Sequence, residues 1–414
     1  MNKFRIKALF ILFIIISGIM AASAQDFSSA GLLKHITVLA SDSLAGRAPG
    51  EDGEKMARDY IVKQISVLGL MPMGDDGYYQ QFSYKASVNP HDTVGRGEEI
   101  SGTNILAYLD RKAEKTLIIG AHYDHLGTDG RGSSLDANPA GKIHNGADDN
   151  ASGSAGVMEL ARVITQKNAF KGFNVLFVWF SAEEAGLIGS KYLSNHYPLK
   201  LEQVKMMVNL DMIGRLNDST RAVTLMGMGT SPIFGQILED ANVFRFKTVM
   251  DSSGTGPSDH TSFYLKNIPV LAFFTGTHKD YHKPSDDVEK INFSGEVDVL
   301  RYVMRVLTKC TAQNEIPFVA TKAKTGAAAS FKVTLGVMPD YSFDGPGLRI
   351  DGVTDGRPAS KAGFKGGDVL MKIGEFEIKD IYGYMEILGK FKKGDKVNVN
   401  LKRGKEVMDK EVEF

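Results

Sequence analysis

The sequence predicts an α/β protein in which a mostly parallel mixed sheet is flanked by helices and followed by a small β-rich domain. Three observations predict it. Four short apolar runs, Thr116–Ile119, Asn174–Phe180, Lys205–Leu210 and Ile268–Phe274, read as strands covered on both faces. Segments with helical spacing of apolar residues alternate with them. Beyond Ser330 the texture changes to short alternating strands with glycine-rich turns.

Each element has its own signal. Met56, Tyr60, Ile61, Ile65 and Leu68 mark one helix face within Glu54–Leu68. Further helices are expected at Gly153–Thr165, between the first two strands, and at Glu184–Leu193, after the second. The stretch Asn314–Ser330 is rich in small residues and without periodicity, so it reads as a linker. The expected organisation is a leader at 1–24, a first domain at 25–313, the linker at 314–330 and a second domain at 331–414.

The leader rests on a three-part pattern. Lys3, Arg5 and Lys7 precede the apolar run Ala8–Met20, and Ala22-Ser23-Ala24 supplies a small-x-small cleavage site. The run is shorter than the ~20 residues a spanning helix needs. The expectation is a secreted protein, periplasmic or extracellular, with no membrane attachment once the leader is removed. Charge is balanced, 49 Lys+Arg against 49 Asp+Glu, so nothing draws the chain to nucleic acid. The single cysteine, Cys310, excludes an intrachain disulfide and a cysteine-built zinc site.

The chemistry lies at the strand ends. After the first strand comes His122-Tyr123-Asp124-His125, after the second Glu183-Glu184, after the third Asp211, and after the fourth a loop to Tyr281-His282. Asn145–Gly153, with Asp148 and Asp149, precedes a helix. Ligands of open α/β sheets bind beyond the carboxyl ends of the strands, so these groups are expected on one rim. Carboxylates gathered in a pocket repel one another, and a divalent cation resolves the conflict. Imidazole and carboxylate without thiolate suit a catalytic zinc site, and two ions can clamp both oxygens of a hydrolytic transition state. The charges of two zinc ions balance three carboxylates and one hydroxide. H-E-x-x-H, G-x-S-x-G and P-loop motifs are absent.

The blocks AHYDH, NGADDNASG, SAEEAGLIGS, NLDMIGR, SDHTSF and YHKPSDD, with the earlier segment LASDSLAGR, stand in one order. In that order the chain resembles the secreted two-zinc aminopeptidases of zinc metallopeptidase family 28, from about Leu32 to Leu307. Glutaminyl cyclases and glutamate carboxypeptidases are relatives. The resemblance implies a zinc-exopeptidase (phosphorylase/hydrolase-like) fold and two zinc ions. His122 and Asp211 would hold one, Glu184 and His282 the other, and Asp148 would bridge them. Asp124 would orient the His122 ring through its carboxylate. Glu183 would be the general base, taking a proton from the attacking water and returning it to the leaving amine. Asp259, His260 and Tyr281 would lie at the substrate, and the Asp148–Asp149 peptide would be cis. His35, His125 and His144 are read as lying outside the ligand set. The implied substrates are peptides or proteins with a free amino terminus. Carboxypeptidase or dipeptidase activity, cyclase-type aminoacyl transfer, and an inactive scaffold are the alternatives; the mono-zinc cyclases lack a histidine at position 122.

The last part of the chain carries Thr334-Leu-Gly-Val337, Gly347–Val353, Arg357–Leu370 and Val397–Arg403. In these pieces it resembles a bacterial-type PDZ domain. That implies a groove that adds a peptide strand and captures a terminal carboxylate, with Leu335-Gly336-Val337 as the carboxylate loop.

Overall fold

The structure is a computed structural model that describes residues 26–85, 97–321, 333–339, 343, 345–353, 356–379 and 381–414. The leader expected at 1–24 and most of the linker lie outside the described residues. Among the described residues no helix is long and apolar enough to cross a membrane.

The first sheet has nine strands: β1 (Met71–Pro72), β2 (Tyr79–Lys85), β3 (Glu99–Leu109), β4 (Lys115–His122), β5 (Phe173–Phe180), β6 (Val204–Leu210), β7 (Ala222–Met226), β8 (Lys247–Met250) and β9 (Val270–Phe274). Their order is β1-β3-β5-β4-β6-β9-β7-β8, with β2 beside β3. The four strands legible as apolar runs form the parallel centre, β5-β4-β6-β9. Around it β3 pairs antiparallel with β5, and β7 antiparallel with β9. Every residue of β5 is buried, as a strand covered on both faces requires.

The covering helices of this part are α1 (Ser29–Leu39), α2 (Asp52–Ile65), α3 (Gly153–Gln166), α4 (Ile188–Asn195), α5 (Phe234–Ala241), α6 (His260–Tyr264) and α7 (Phe293–Thr311). α1 is capped by the Ser28 hydroxyl, which accepts from Gly31 N at 3.1 Å. The largest core cluster joins α1, α2, α3, α5 and α7 to one face of the sheet, with Trp179, Phe177 and Tyr302 fully buried in it.

α4 begins four residues later than expected from Glu184. Leu187 is left-handed (φ +61°), and Gly186 (φ +105°) precedes it. This turn ends on Glu183, whose carbonyl accepts from both Gly186 N and Leu187 N. Glu183 and Glu184 therefore stand in a turn after β5, not on a helix.

The second sheet contains β10 (Val337–Pro339), β11 (Leu348–Val353), β12 (Val369–Ile373), β13 (Phe376–Glu377), β14 (Lys396–Arg403) and β15 (Glu406–Glu413). All its pairings are antiparallel. With helices α8 (Pro358–Lys361) and α9 (Ile381–Leu388) it has its own core, including Leu335, Ile350, Phe364, Leu370 and Leu401. Gly336 takes φ +71°, and a Cβ there would come within 2.3 Å of the Arg357 side chain, so glycine is required.

Candidate metal centre

The expected acids and histidines meet beyond the carboxyl ends of the parallel strands. His122 ends β4, Glu183 and Glu184 follow β5, Asp211 follows β6, and His282 lies in the loop after β9. The His122 Nε2 atom is 3.4 Å from Asp149 Oδ1 and 3.5 Å from Asp211 Oδ1. His282 Nε2 is 3.3 Å from Asp149 Oδ2 and 3.3 Å from Glu184 Oε2. Bonds of about 2.0–2.1 Å to a tetrahedral zinc put neighbouring ligand atoms about 3.3–3.4 Å apart. The histidine–carboxylate distances of both sets therefore match that spacing, and Asp149 turns one oxygen to each.

This corrects the expectation for Asp148. Its Oδ1 accepts from Gly214 N at 2.7 Å and from the Ser152 hydroxyl at 3.0 Å. Its Oδ2 is 3.1 Å from His278 Nε2. Both oxygens are thus engaged away from the cluster, and the position between the sets belongs to Asp149. Asp286 Oδ2 accepts from the main-chain N–H groups of both residues, at 2.9 and 3.1 Å, and so holds the turn. The cis peptide likewise lies one residue on, at Asp149–Asn150.

Asp124 also differs from expectation. His122 Nδ1 is 3.2 Å from the Asp124 main-chain carbonyl and 3.8 Å from its carboxylate. The carbonyl therefore orients the ring. The carboxylate instead accepts from Glu183 N at 3.1 Å and Glu184 N at 3.4 Å, which fixes the turn bearing both glutamates.

Other residues brace the ligands. The Ser258 hydroxyl donates to Asp211 Oδ2 at 2.6 Å, and Asn209 Nδ2 donates to Ser258 Oγ at 2.7 Å. His125, expected outside the set, has its Nδ1 2.8 Å from Glu184 Oε1. Its place on the same strand-end block as His122 is the signal that could have found it. Asp286, which holds the turn, lies within the YHKPSDD block, whereas His278, which holds Asp148, carries no local signal.

Burial dominates the electrostatics. It pushes the Glu183 carboxyl well above the usual range, with His122 opposing and Asp259, Glu184 and Asp211 adding. Burial also pushes Glu184 up, but His282 and His125 outweigh it and hold this carboxyl well below the usual range. Desolvation would lower His122 and His282; the facing carboxylates, chiefly Glu183 and Glu184 respectively, instead raise both well above an ordinary imidazole. Such concentrated mutual perturbation marks a functional site.

An open cleft lies over the cluster and is lined by His122, Asp149, Glu183, Glu184, Asp211 and His282. Its apolar wall is Met212, Met226 and Phe274, with Tyr281 packed against that group. Tyr281 also stacks on the His282 ring at 3.9 Å between centroids. Asp259 and His260 do not fit the expected substrate position. Both are fully buried and neither lines the cavity. The reason is α6, which starts at His260 and packs against α4 and β9, leaving Ser258 as the end of the block that reaches the cavity.

Comparison with known proteins agrees with this architecture. Residues 104–307 match peptidase family M28, and residues 322–414 match the PDZ domain. Leucine aminopeptidase 2 of Trichophyton rubrum is 31% identical over 209 residues, covering 42% of this chain and 38% of that protein. The chain spans only part of the length of the curated relatives it matches first, 56% and 38%. In fold it resembles BSAP, a zinc aminopeptidase from Bacillus subtilis, with TM-score 0.56, 17% identity, and 72% of this chain and 97% of that one covered. It also resembles Porphyromonas gingivalis glutaminyl cyclase, with TM-score 0.54, 20% identity, and 68% and 98% covered. The ordered blocks, the sheet and the matched segments agree: the chain carries a peptidase family M28 segment at 104–307, followed by a PDZ domain at 322–414.

Proposed function

We propose that the chain is a zinc-dependent aminopeptidase, exported under the leader at 1–24, that removes the first residue from peptides with a free amino terminus. The observation that supports it most is the pair of residue sets sharing Asp149, each with histidine–carboxylate distances that suit zinc. His122 and Asp211 would hold one ion and Glu184 and His282 the other. Zinc, when bound, polarises a carbonyl and makes water a nucleophile near neutral pH. Glu183 stands beside the first set, with Oε2 4.0 Å from His122 Nε2. Its proton affinity, raised by burial, suits a group that accepts a proton at a carboxylate oxygen and later gives it to the departing amine. The Asp124 carboxylate keeps that glutamate in place through the Glu183 main chain. Met212, Met226 and Phe274 suit an apolar first side chain. In the PDZ domain, the turn at Gly336 would receive a peptide carboxylate on its N–H groups.

The test is a set of peptides, each free and N-acetylated, incubated with the purified protein and followed by mass spectrometry. Stepwise loss from free amino termini alone, abolished by a chelator and restored by zinc, is the expected result. Loss from the other end of acetylated peptides makes the protein a carboxypeptidase. Cleavage of dipeptides alone makes it a dipeptidase, and loss of ammonia from amino-terminal glutamine makes it a cyclase. No change in any peptide by the zinc-loaded chain refutes catalysis and leaves the scaffold reading.

A further inference from the structure

Arg47 belongs to no ligand set, yet it is fully buried. Its guanidinium donates to main-chain carbonyls of three separate segments. Nε reaches Tyr123 O at 2.7 Å, one terminal nitrogen reaches Leu39 O and Asn145 O (the latter at 2.6 Å), and the other reaches Gly146 O at 3.0 Å. Tyr123 sits between His122 and Asp124, and Asn145-Gly146 lead into the turn that carries Asp149. One side chain therefore ties the end of β4 to the turn before α3.

The backbone is committed to the same place. Ala45, Gly46 and Arg47 are successively left-handed (φ +45°, +72° and +52°), a conformation L side chains rarely adopt. A Cβ on Gly46 would lie 2.5 Å from His144 O, so the segment is wedged against the short antiparallel pair of Gly127–Thr128 and Ile143–His144. Arg47 O in turn accepts from His125 N at 3.4 Å.

The charge makes this placement informative. A cation near a site for cations opposes their binding, and burial lowers the Arg47 pKa to about 10 against the pull of Asp124, Asp149, Asp286 and Glu184. What the site gains must therefore come from the hydrogen-bonding fork. A lysine ammonium, a point donor on a flexible stem, cannot reach all four carbonyls.

We propose that Arg47 is a positioning residue that holds the loops of His122 and Asp149 at ligand spacing through its four carbonyl contacts, not through its charge. The inference rests on the zinc reading above. Its test uses the full chain stripped by chelator and titrated with zinc alone against a chromophoric competitor. Arg47→Lys and Arg47→Met are compared with wild type in the cold, where circular dichroism shows which variants are folded. Both folded variants should bind zinc about 10–100-fold more weakly, the range for residues that orient ligands. Wild-type affinity in Arg47→Lys, or tighter binding in Arg47→Met, overturns the proposal in favour of a charge effect. Hydrogen exchange of the unmodified metal-free chain supplies a measurement independent of the variants. The main chain at 121–126 and 145–150 should stay protected without zinc; fast exchange there would show that the metal, not Arg47, orders the loops. A wild-type chain that takes up no zinc refutes the zinc reading itself, whereas zinc uptake with an unchanged Arg47→Lys affinity refutes this inference alone.

Discussion

Glu296 offers a sharp test of the physics of the interior. It stands in the first turn of α7, where the helix dipole favours an anion by about 0.3–1 kcal/mol. Yet it is fully buried and neither carboxyl oxygen has a hydrogen-bond partner. Burial, then Asp148 and Glu159, push its pKa well above the ordinary 4.5. The folded protein therefore keeps this proton after the unfolded chain has lost it. The stability tied to the protonated carboxyl is fully present below 4.5 and is lost as pH rises through the folded value. Each pH unit in that window costs about 1.4 kcal/mol. Glu296→Gln keeps the shape and cannot ionise, and any cost of its unpartnered amide is the same at every pH. Relative to wild type the variant should gain about 1.4 kcal/mol per pH unit across the window, or about 3–6 °C in Tm at about 2–4 °C per kcal/mol. Thermal melts of both metal-free proteins at several pH values check it. Parallel Tm curves would show that Glu296 is ionised in the folded state and would refute the argument.

Three further outcomes are expected. Asp149→Asn should lower the affinity of both zinc ions, whereas Asp148→Asn should keep both ions and lose stability by about 1–3 kcal/mol, because it disturbs a buried charged hydrogen-bond set; zinc titration with a melt separates them. Ser258→Ala removes the 2.6 Å bond to Asp211 Oδ2 and should weaken one ion about 10–100-fold, leaving the other unchanged in a two-site titration. His35 is held neutral by burial, with a pKa near 4 against 6.5. Its contribution is fully present above 6.5 and is lost as pH falls towards 4, about 3 kcal/mol in all, so His35→Gln should flatten the acid limb of a stability–pH curve.

The parts of the fold legible in the sequence share a physical cause. β4, β5, β6 and β9 are covered on both faces and so appear as unbroken apolar runs. The antiparallel strands β2 and β3 have exposed positions at Glu99, Gln81 and Ser101, and the pattern there does not separate strand from loop. β7 and β8 are short and lie at the far edge. The start of α4 is hidden because helical spacing continues backwards through Glu184, and the positive-φ pair Gly186 and Leu187 stops it.

The site divides along a different line. Residue types and their places at strand ends are legible, because the topology sends the ends of parallel strands to one rim. What spacing does not decide is which of two adjacent carboxylates, Asp148 or Asp149, faces the histidines of the cluster. The two are chemically identical and one residue apart. The choice is made by partners distant in sequence: Gly214 and His278 take the oxygens of Asp148, and Asp286 takes both main-chain N–H groups. Arg47 shows the same logic from the other side. Nothing local marks it as buried, since its role depends on carbonyls 76 to 99 residues away as well as on nearby Leu39. In this protein a ligand is therefore distinguished from a brace by what occupies the oxygens of its neighbours. Removing the competing partners of Asp148 should blur that distinction before any ligand is touched.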